Sequence, residues 1–199
     1  MQSAGRHPSD KRQLVLGAAL SFDVNQIRVF VESLRASGYA GDIAILVDLT
    51  SRRPVDYLRR HGAQPVRTWC IRRLHGPIHS YRYACFAAYL RQHARRYDQV
   101  LISDVRDVVF QSHPFIGVTS PACHFFLESA RLRIGSEPNN ARWMRIFLPP
   151  VQAAQMAEYP VSCGGVVLGG VGAMTLYLER MSAYIRAIPL LTRRKHGAD

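Results

Sequence analysis

Apolar positions along the chain fall into two repeating patterns: short unbroken runs, and stripes at helical spacing. Gln13 to Leu20 is an apolar run that predicts a first buried strand. Ser21-Phe22-Asp23 follows as a turn, with Asn25 as a further turn or cap residue. Val24 to Ser37 then carries Ile27, Phe30, Val31 and Leu34 at the spacing of one helix face. Gly38 and Gly41 close that helix. Asp42 to Val47 is a second strand, ending in Asp48. Pro54 opens a helix that uses Val55 and Leu58 and stops at Gly62. Gln64 to Trp69 is a third strand. This β-α-β-α-β rhythm predicts a mostly parallel central sheet with helices on both faces, an α/β fold.

The second half is less regular. Ile71 to Pro77 reads as a basic loop. Ser80 to Arg95 is a long helix with Tyr83, Phe86, Ala87 and Leu90 inward, and Asp98 to Ile102 is a fourth strand. Cys123 to Leu127 is another apolar run, expected as a buried strand, ending at Glu128. Ser129 to Asn140 is irregular and polar, which inside a compact domain is more often functional than filler. Ala141 to Phe147 and Val151 to Tyr159 are short helices split by Pro149-Pro150. A glycine turn at Cys163-Gly164-Gly165 is expected before the apolar run Val166 to Leu168. Gly169, Gly170 and Gly172 lead into a last helix, Ala173 to Ile188. Residues 1–12 read as a loose polar, basic tail and 13–199 as one domain without repeats.

Composition changes this picture in two places. At 199 residues, 48% of them apolar, the chain can bury one good core. No run approaches the roughly 18 apolar residues of a membrane span. The basic start lacks an apolar core behind it, so the expected location is the cytoplasm. Cys70, Cys85, Cys123 and Cys163 are far apart, show no zinc spacing, and are expected to be reduced. The formal charge of +12 invites nucleic acid, an anionic membrane surface or a phosphate-rich small ligand. The arginines are spread through the chain, without RNA-reading aromatics or a recognition helix, which argues against nucleic acid. Peripheral membrane contact stays open.

The candidate chemistry centres on Val100 to Phe110, where one apolar run leads into Asp104 and Asp107 and a second leads out. In open α/β sheets ligands bind beyond the carboxyl ends of the strands, where these carboxylates are expected. Two hard oxygen donors suit Mg²⁺ or Mn²⁺ shared with a diphosphate. The plainer alternative has Asp104 capping the next turn and Asp107 paired with Arg106 or another arginine. The glycines before Val166 serve either a close backbone approach to a ligand or a tight turn. Their spacing is not that of a dinucleotide-binding loop.

Asp104-Val105-Arg106-Asp107, followed by Val108-Val109-Phe110-Gln111 and Pro114-Phe115, resembles the metal and nucleotide-sugar motif of GT-A-type glycosyltransferases. Ser162-Cys163-Gly164-Gly165-Val166 resembles a later turn of those domains. Ser33-Leu34-Arg35, Gly38-Tyr39 and Gly41-Asp42 resemble their first helix and second strand. The resemblance covers roughly Gln13 to the C-terminus and implies a GT-A-like, Rossmann-like domain. It implies a hexosyltransferase that moves a sugar from a nucleoside diphosphate sugar to an acceptor hydroxyl of a glycan, lipid or protein, with a divalent metal, Mn²⁺ or Mg²⁺. By the same resemblance Asp107 holds the metal directly, and Asp104 reaches the ribose or a metal-bound water. The loop from Ala19 through Ser21 to Asp23 holds base and ribose, and Arg82 faces the diphosphate. Cys163, Gly164 and Gly165 line the sugar and acceptor cleft. Glu128, Asn139 and Asn140 are candidates for sugar or acceptor hydroxyls, with turn and cap chemistry as their alternative. Two residues, rather than one, separate the two aspartates. The ending His196-Gly197-Ala198-Asp199 resembles the start of a later Asp-Gln motif, making Asp199 the candidate catalytic residue of an incomplete domain. The alternative function is a catalytically inactive nucleotide-binding or interaction module on the same fold. A hydrolase using the two aspartates lacks the further His or Asp cluster that two-metal chemistry wants.

Overall fold

The computed structural model describes residues 12–69 and 77–192. Most of the predicted basic loop, and Asp199, lie outside the described residues. The elements are β1 (Gln13–Ala18), α1 (Val24–Ala36), β2 (Asp42–Asp48), α2 (Arg52–Arg60), β3 (Gln64–Thr68), α3 (Ile78–His93), β4 (Gln99–Ser103), β5 (Cys123–Leu127), α4 (Pro138–Phe147), α5 (Pro150–Met156), β6 (Ser162–Gly170) and α6 (Val171–Ala187). One six-stranded sheet runs in the order β3-β2-β1-β4-β6-β5. β1 pairs in parallel with β2 and β4, and β2 with β3. β6 is antiparallel to both β4 and β5, so the sheet is mixed, though mostly parallel.

The period of two along β1 builds both faces. Val15 joins α1 and α2 on one side, packing with Phe30, Leu34, Val55 and Leu58. Leu14 and Leu16 join α3 and α6 on the other, with Phe86, Leu90, Met174 and Leu178. Strands covered on both faces are apolar throughout, which is why β1, β2 and β4 read as unbroken runs. Phe30 is fully buried, worth about 1.5–3 kcal/mol relative to exposure. α1 begins with a capping box between Asp23 and Gln26, and past its end Gly38 takes φ +84°, which glycine accepts without strain. α2 begins at Arg52, two residues before Pro54, because proline is tolerated anywhere in a first turn that has no N–H partners.

Three expectations are corrected. The β5 run is not a buried strand: Phe125, Phe126 and Leu127 are 52%, 44% and 52% exposed. β5 is the last strand of the sheet and has one strand neighbour. Cys163-Gly164-Gly165 is not a turn, since all three lie within the continuous strand β6. The helix expected from Ala141 begins at Pro138, so Asn139 and Asn140 belong to its first turn. Among the described residues no helix is long and apolar enough to cross a membrane.

The chain leaves β1 through α1 to β2 on one side, and returns through α3, on the opposite face, to β4 on the other side. The carboxyl ends of β1 and β4 therefore flank a switch point, where α/β sheets open a crevice. Gly17 makes that junction tight. A Cβ there would lie 2.5 Å from Val105 Cγ2 and 2.8 Å from Ile45 Cδ1. Gly17→Ala is expected to lower stability by about 1–3 kcal/mol through overpacking. Urea unfolding should show a lower midpoint with an unchanged slope; an unchanged midpoint would mean that Val105 yields freely.

Candidate functional site

Four segments meet at the carboxyl end of β1 and β4. The first is the turn after β1. Ala19 N–H donates to Leu46 O at 2.8 Å, and Phe22 N–H to Ala19 O at 3.4 Å. Ser21 has φ +64°, the left-handed region that residues other than glycine seldom take. Its N–H donates to Asp48 Oδ2 at 2.5 Å, so the carboxylate ending β2 holds the unusual backbone in place. Asp23 is tied into the start of α1: Oδ1 accepts from Gln26 N–H at 3.0 Å, and its own N–H donates to Gln26 Oε1 at 3.0 Å.

The second and third segments are Asp104 to Asp107 after β4, and the start of β6. Asp104 N–H donates to Gly165 O at 2.7 Å, continuing the ladder one step past the end of β4. A Cβ on Gly165 would lie 2.6 Å from Asp104 Oδ2, so this position requires glycine for close approach. At Gly164 a Cβ would meet nothing within 4 Å, and its residue is exposed.

The fourth is Arg82, in the second turn of α3. It is 7% exposed. Its Nη1 forms an ion pair with Asp104 Oδ1, and Nη2 donates to Gly164 O at 3.1 Å. The guanidinium also lies 5.3 Å from the centre of the Tyr83 ring. A buried cation needs such partners, because water is no longer there to solvate it. The plainer reading of the aspartates is therefore inverted. Asp104, not Asp107, carries the arginine, and Asp104 is no turn cap. Asp107 is exposed, and among the described residues its carboxylate has no hydrogen bond or ion pair.

The donor set tests the metal expectation. Among the described residues no group of three or more His, Cys, Asp or Glu side chains could hold an ion. Asp104 has one oxygen on Arg82 and the other against Gly165. Mg²⁺-type sites, however, are built on one or two carboxylates, with phosphate oxygens and water completing the shell. Asp107, with Asp104 reached through water, fits that sparse kind of site and no denser one.

The remaining sequence candidates separate from this cluster. β5 ends at the same end of the sheet as Ser162, so Glu128 emerges on the crevice side. It stands two strand spacings from β4, about 10 Å. Its N–H donates to Val161 O at 3.0 Å. Asn139 and Asn140 serve a helix cap instead: Glu137 Oε1 accepts from Asn139 N–H at 3.1 Å, and Oε2 from Asn140 N–H at 2.6 Å. Their side-chain amides donate to the same two oxygens, at 3.3 and 2.8 Å. The backbone N–H groups of Asn140 and then Asn139 hold the Glu137 carboxyl below its ordinary range. Cys163 is half-buried and free, while burial pushes the Cys85 and Cys123 thiols up, away from nucleophilic character. Sequence reasoning missed Asp48. The available signal was its place at the end of a parallel strand, the same signal that singled out Asp104.

Arg82→Ala removes a cation that joins α3 to β4 and β6. Asp104 can rehydrate, its side chain being 40% exposed, so the expected loss is about 1–3 kcal/mol rather than that of a fully buried pair. Chemical denaturation of Arg82→Ala, Asp104→Asn and the double variant should show strong coupling; additive losses would mean that the pair contributes nothing beyond its parts. Glu137 gives a pH test. Its folded pKa is depressed, so its stabilisation is present above the ordinary glutamate range and lost as pH falls through the lower folded value. Glu137→Ala should therefore melt below the parent near neutral pH, and the gap should close in strong acid. A gap that persists in acid would rule out the charged cap.

The chain matches no protein-family model, and no curated protein matches it.

Proposed function

We propose that the crevice beside Asp104 and Asp107 binds a nucleoside diphosphate sugar, and that the chain is a GT-A-like domain transferring the sugar to an acceptor hydroxyl. The observation that carries this reading is the meeting of Asp104, Arg82, Gly164 and Gly165 at the sheet's switch point, beside a turn held by Asp48. A diphosphate is chelated by few protein ligands and a divalent cation, and the donor set here is of that sparse kind.

The residues divide the work as follows. The Ala19–Asp23 turn, with its Ser21 backbone fixed by Asp48, receives base and ribose. Asp107 is the free carboxylate for Mn²⁺ or Mg²⁺, and Asp104 acts through water or the ribose because Arg82 already holds one of its oxygens. The metal, when bound, neutralises charge on the departing diphosphate. Arg82 acts by fixing the Asp104 carboxylate and the Gly164 carbonyl, and so shapes the cleft wall. The exposed backbone at Gly164 leaves room on that wall for sugar and acceptor.

One observation favours a second reading, a nucleotide-binding module without turnover. Asp104 is already neutralised, and the described residues supply no third acidic or imidazole group to complete a catalytic metal centre. Binding without hydrolysis or transfer of any UDP- or GDP-sugar would favour it.

Asp107→Asn is expected to weaken Mn²⁺-dependent binding of nucleoside diphosphates by at least about tenfold, with Asp104→Asn doing less. Because Asp107 has no ion pair to lose among the described residues, its variant should melt with the parent when no metal is added. Thermal shift and calorimetric titration with Mn²⁺ and UDP or GDP check both statements. A parent chain whose Tm ignores every such combination would refute nucleotide binding.

A further inference from the structure

β5 and β6 part at the pair Leu127 and Ser162, on the crevice side of the sheet, and residues 128–161 run out and back between them. A two-chain neck leads into this excursion. Glu128 N–H donates to Val161 O at 3.0 Å, and Val161 N–H to Leu132 O at 3.2 Å. Further out, Ile134 N–H donates to Tyr159 O at 2.9 Å, and Gly135 N–H to Ala157 O at 2.8 Å. Helices α4 and α5 close the far end.

Three observations set this unit apart from the sheet. Its hydrogen bonds are its own. Among the described residues, every hydrogen bond of residues 128–161 has both partners inside that range, the Glu137 cap included. No ion pair or ring contact among the described residues joins it to the rest. The unit also buries little. Within it only Met144, Ala153 and, at its last position, Val161 are buried, against the buried runs of β1, β2 and β4. Finally, its joint with α6 is loose. A cavity of about 490 Å³ lies between Trp143, Met144, Phe147 and Met156 of the unit and Met181 and Tyr184 of α6. Side chains facing such a space lack the partner atoms that close packing supplies.

Few buried apolar contacts, exposed backbone hydrogen bonds and loose packing mark a segment that opens at lower free energy than global unfolding. Opening here breaks bonds inside the unit and leaves the ladders of the sheet intact. The hinge is also continuous with the crevice wall: two residues past Ser162, Gly164 O accepts from Arg82 Nη2 at 3.1 Å.

We propose that residues 128–161 form a flap at the crevice end, which opens as one cooperative unit about Leu127–Glu128 and Val161–Ser162 while the sheet stays folded. The inference does not rest on nucleotide-sugar binding, since it concerns the unit's own bonds and packing.

Native-state hydrogen exchange of the full chain, read residue by residue by NMR at low urea, tests this. The bonded amides of Ile134, Gly135, Leu148 and Val161 should share one protection factor and one urea dependence. Their protection should lie at least about a hundredfold below that of Val15 and Leu101 in the sheet. Ile45→Val and Ile27→Val, both in the buried core, separate a flap from the sheet it stands on. Each should speed exchange at Val15 and Leu101 by about two- to tenfold. Neither should change the four flap amides, because the open flap keeps that core intact. Equal protection in flap and sheet would show that the excursion opens only with global unfolding, and would overturn the proposal. So would flap amides that speed up in step with the sheet in the two core variants. Four unrelated protection factors and urea slopes would mean separate fraying, and no single unit.

Discussion

A guanidinium out of water needs oxygen atoms around it, and at Arg82 those oxygens come from two different strands. Asp104 extends β4, and Gly164 belongs to β6. The arginine itself stands on α3, which covers one face of the sheet. One buried cation thus ties a helix to an antiparallel pair at the end where the parallel strands open. It also explains why Gly165 has no side chain: the carboxylate that meets Arg82 occupies the space a Cβ would need. Helix, strand end and glycine are set by one charge that has to be solvated by protein.

The same end of the sheet holds a second constrained carboxylate. Asp48 stabilises Ser21 in a backbone conformation that sequence preference disfavours. The ends of β2 and β4, on either side of β1, therefore spend their acidic residues on a turn and on Arg82, while Asp107 remains exposed and unengaged among the described residues. Under the proposed function, two carboxylates hold the walls and Asp107 is the one left for a ligand accompanied by a cation. An isolated ion would need more donors than Asp107 offers, so in the proposed site phosphate oxygens and water complete the shell.

The positive charge of the chain is used in unlike ways in its two halves. Arg35 donates to the carbonyls of Tyr39, Gly41 and Gly62, closing loops behind α1 and α2. Arg82 is buried in a pair. The arginines of α4 and α6 do neither among the described residues: they are exposed to solvent. Arginines that bond backbone carbonyls are accounted for by the fold, whereas the exposed ones are left to solvent.

Much of the first half was legible because its signals are local. A strand covered on both faces must be apolar through its middle, as β1, β2 and β4 are between their polar ends. A helix packed on one face must repeat near 3.6, as α1 does with Ile27, Phe30, Val31 and Leu34. Aspartates at strand ends could be read as crevice residues on the same ground. Facts of pairing could not be read this way. Nothing local to Cys163-Gly164-Gly165 shows that these residues are strand, because the partners at this end of β6 are Asp104, just past β4, and Leu127 of β5, both far earlier in the chain. The run Cys123–Leu127 looks the same in sequence whether central or at an edge; only the sheet order leaves it half-uncovered. Asn139 and Asn140 read equally well as ligand contacts or as helix start, until the Glu137 carboxylate is found on both N–H groups. The sequence by itself determined which segments are strand or helix wherever burial is two-sided or periodic. Tertiary structure alone decided which carboxylate meets Arg82 and which stays free, because that choice depends on distances between residues that the chain keeps far apart.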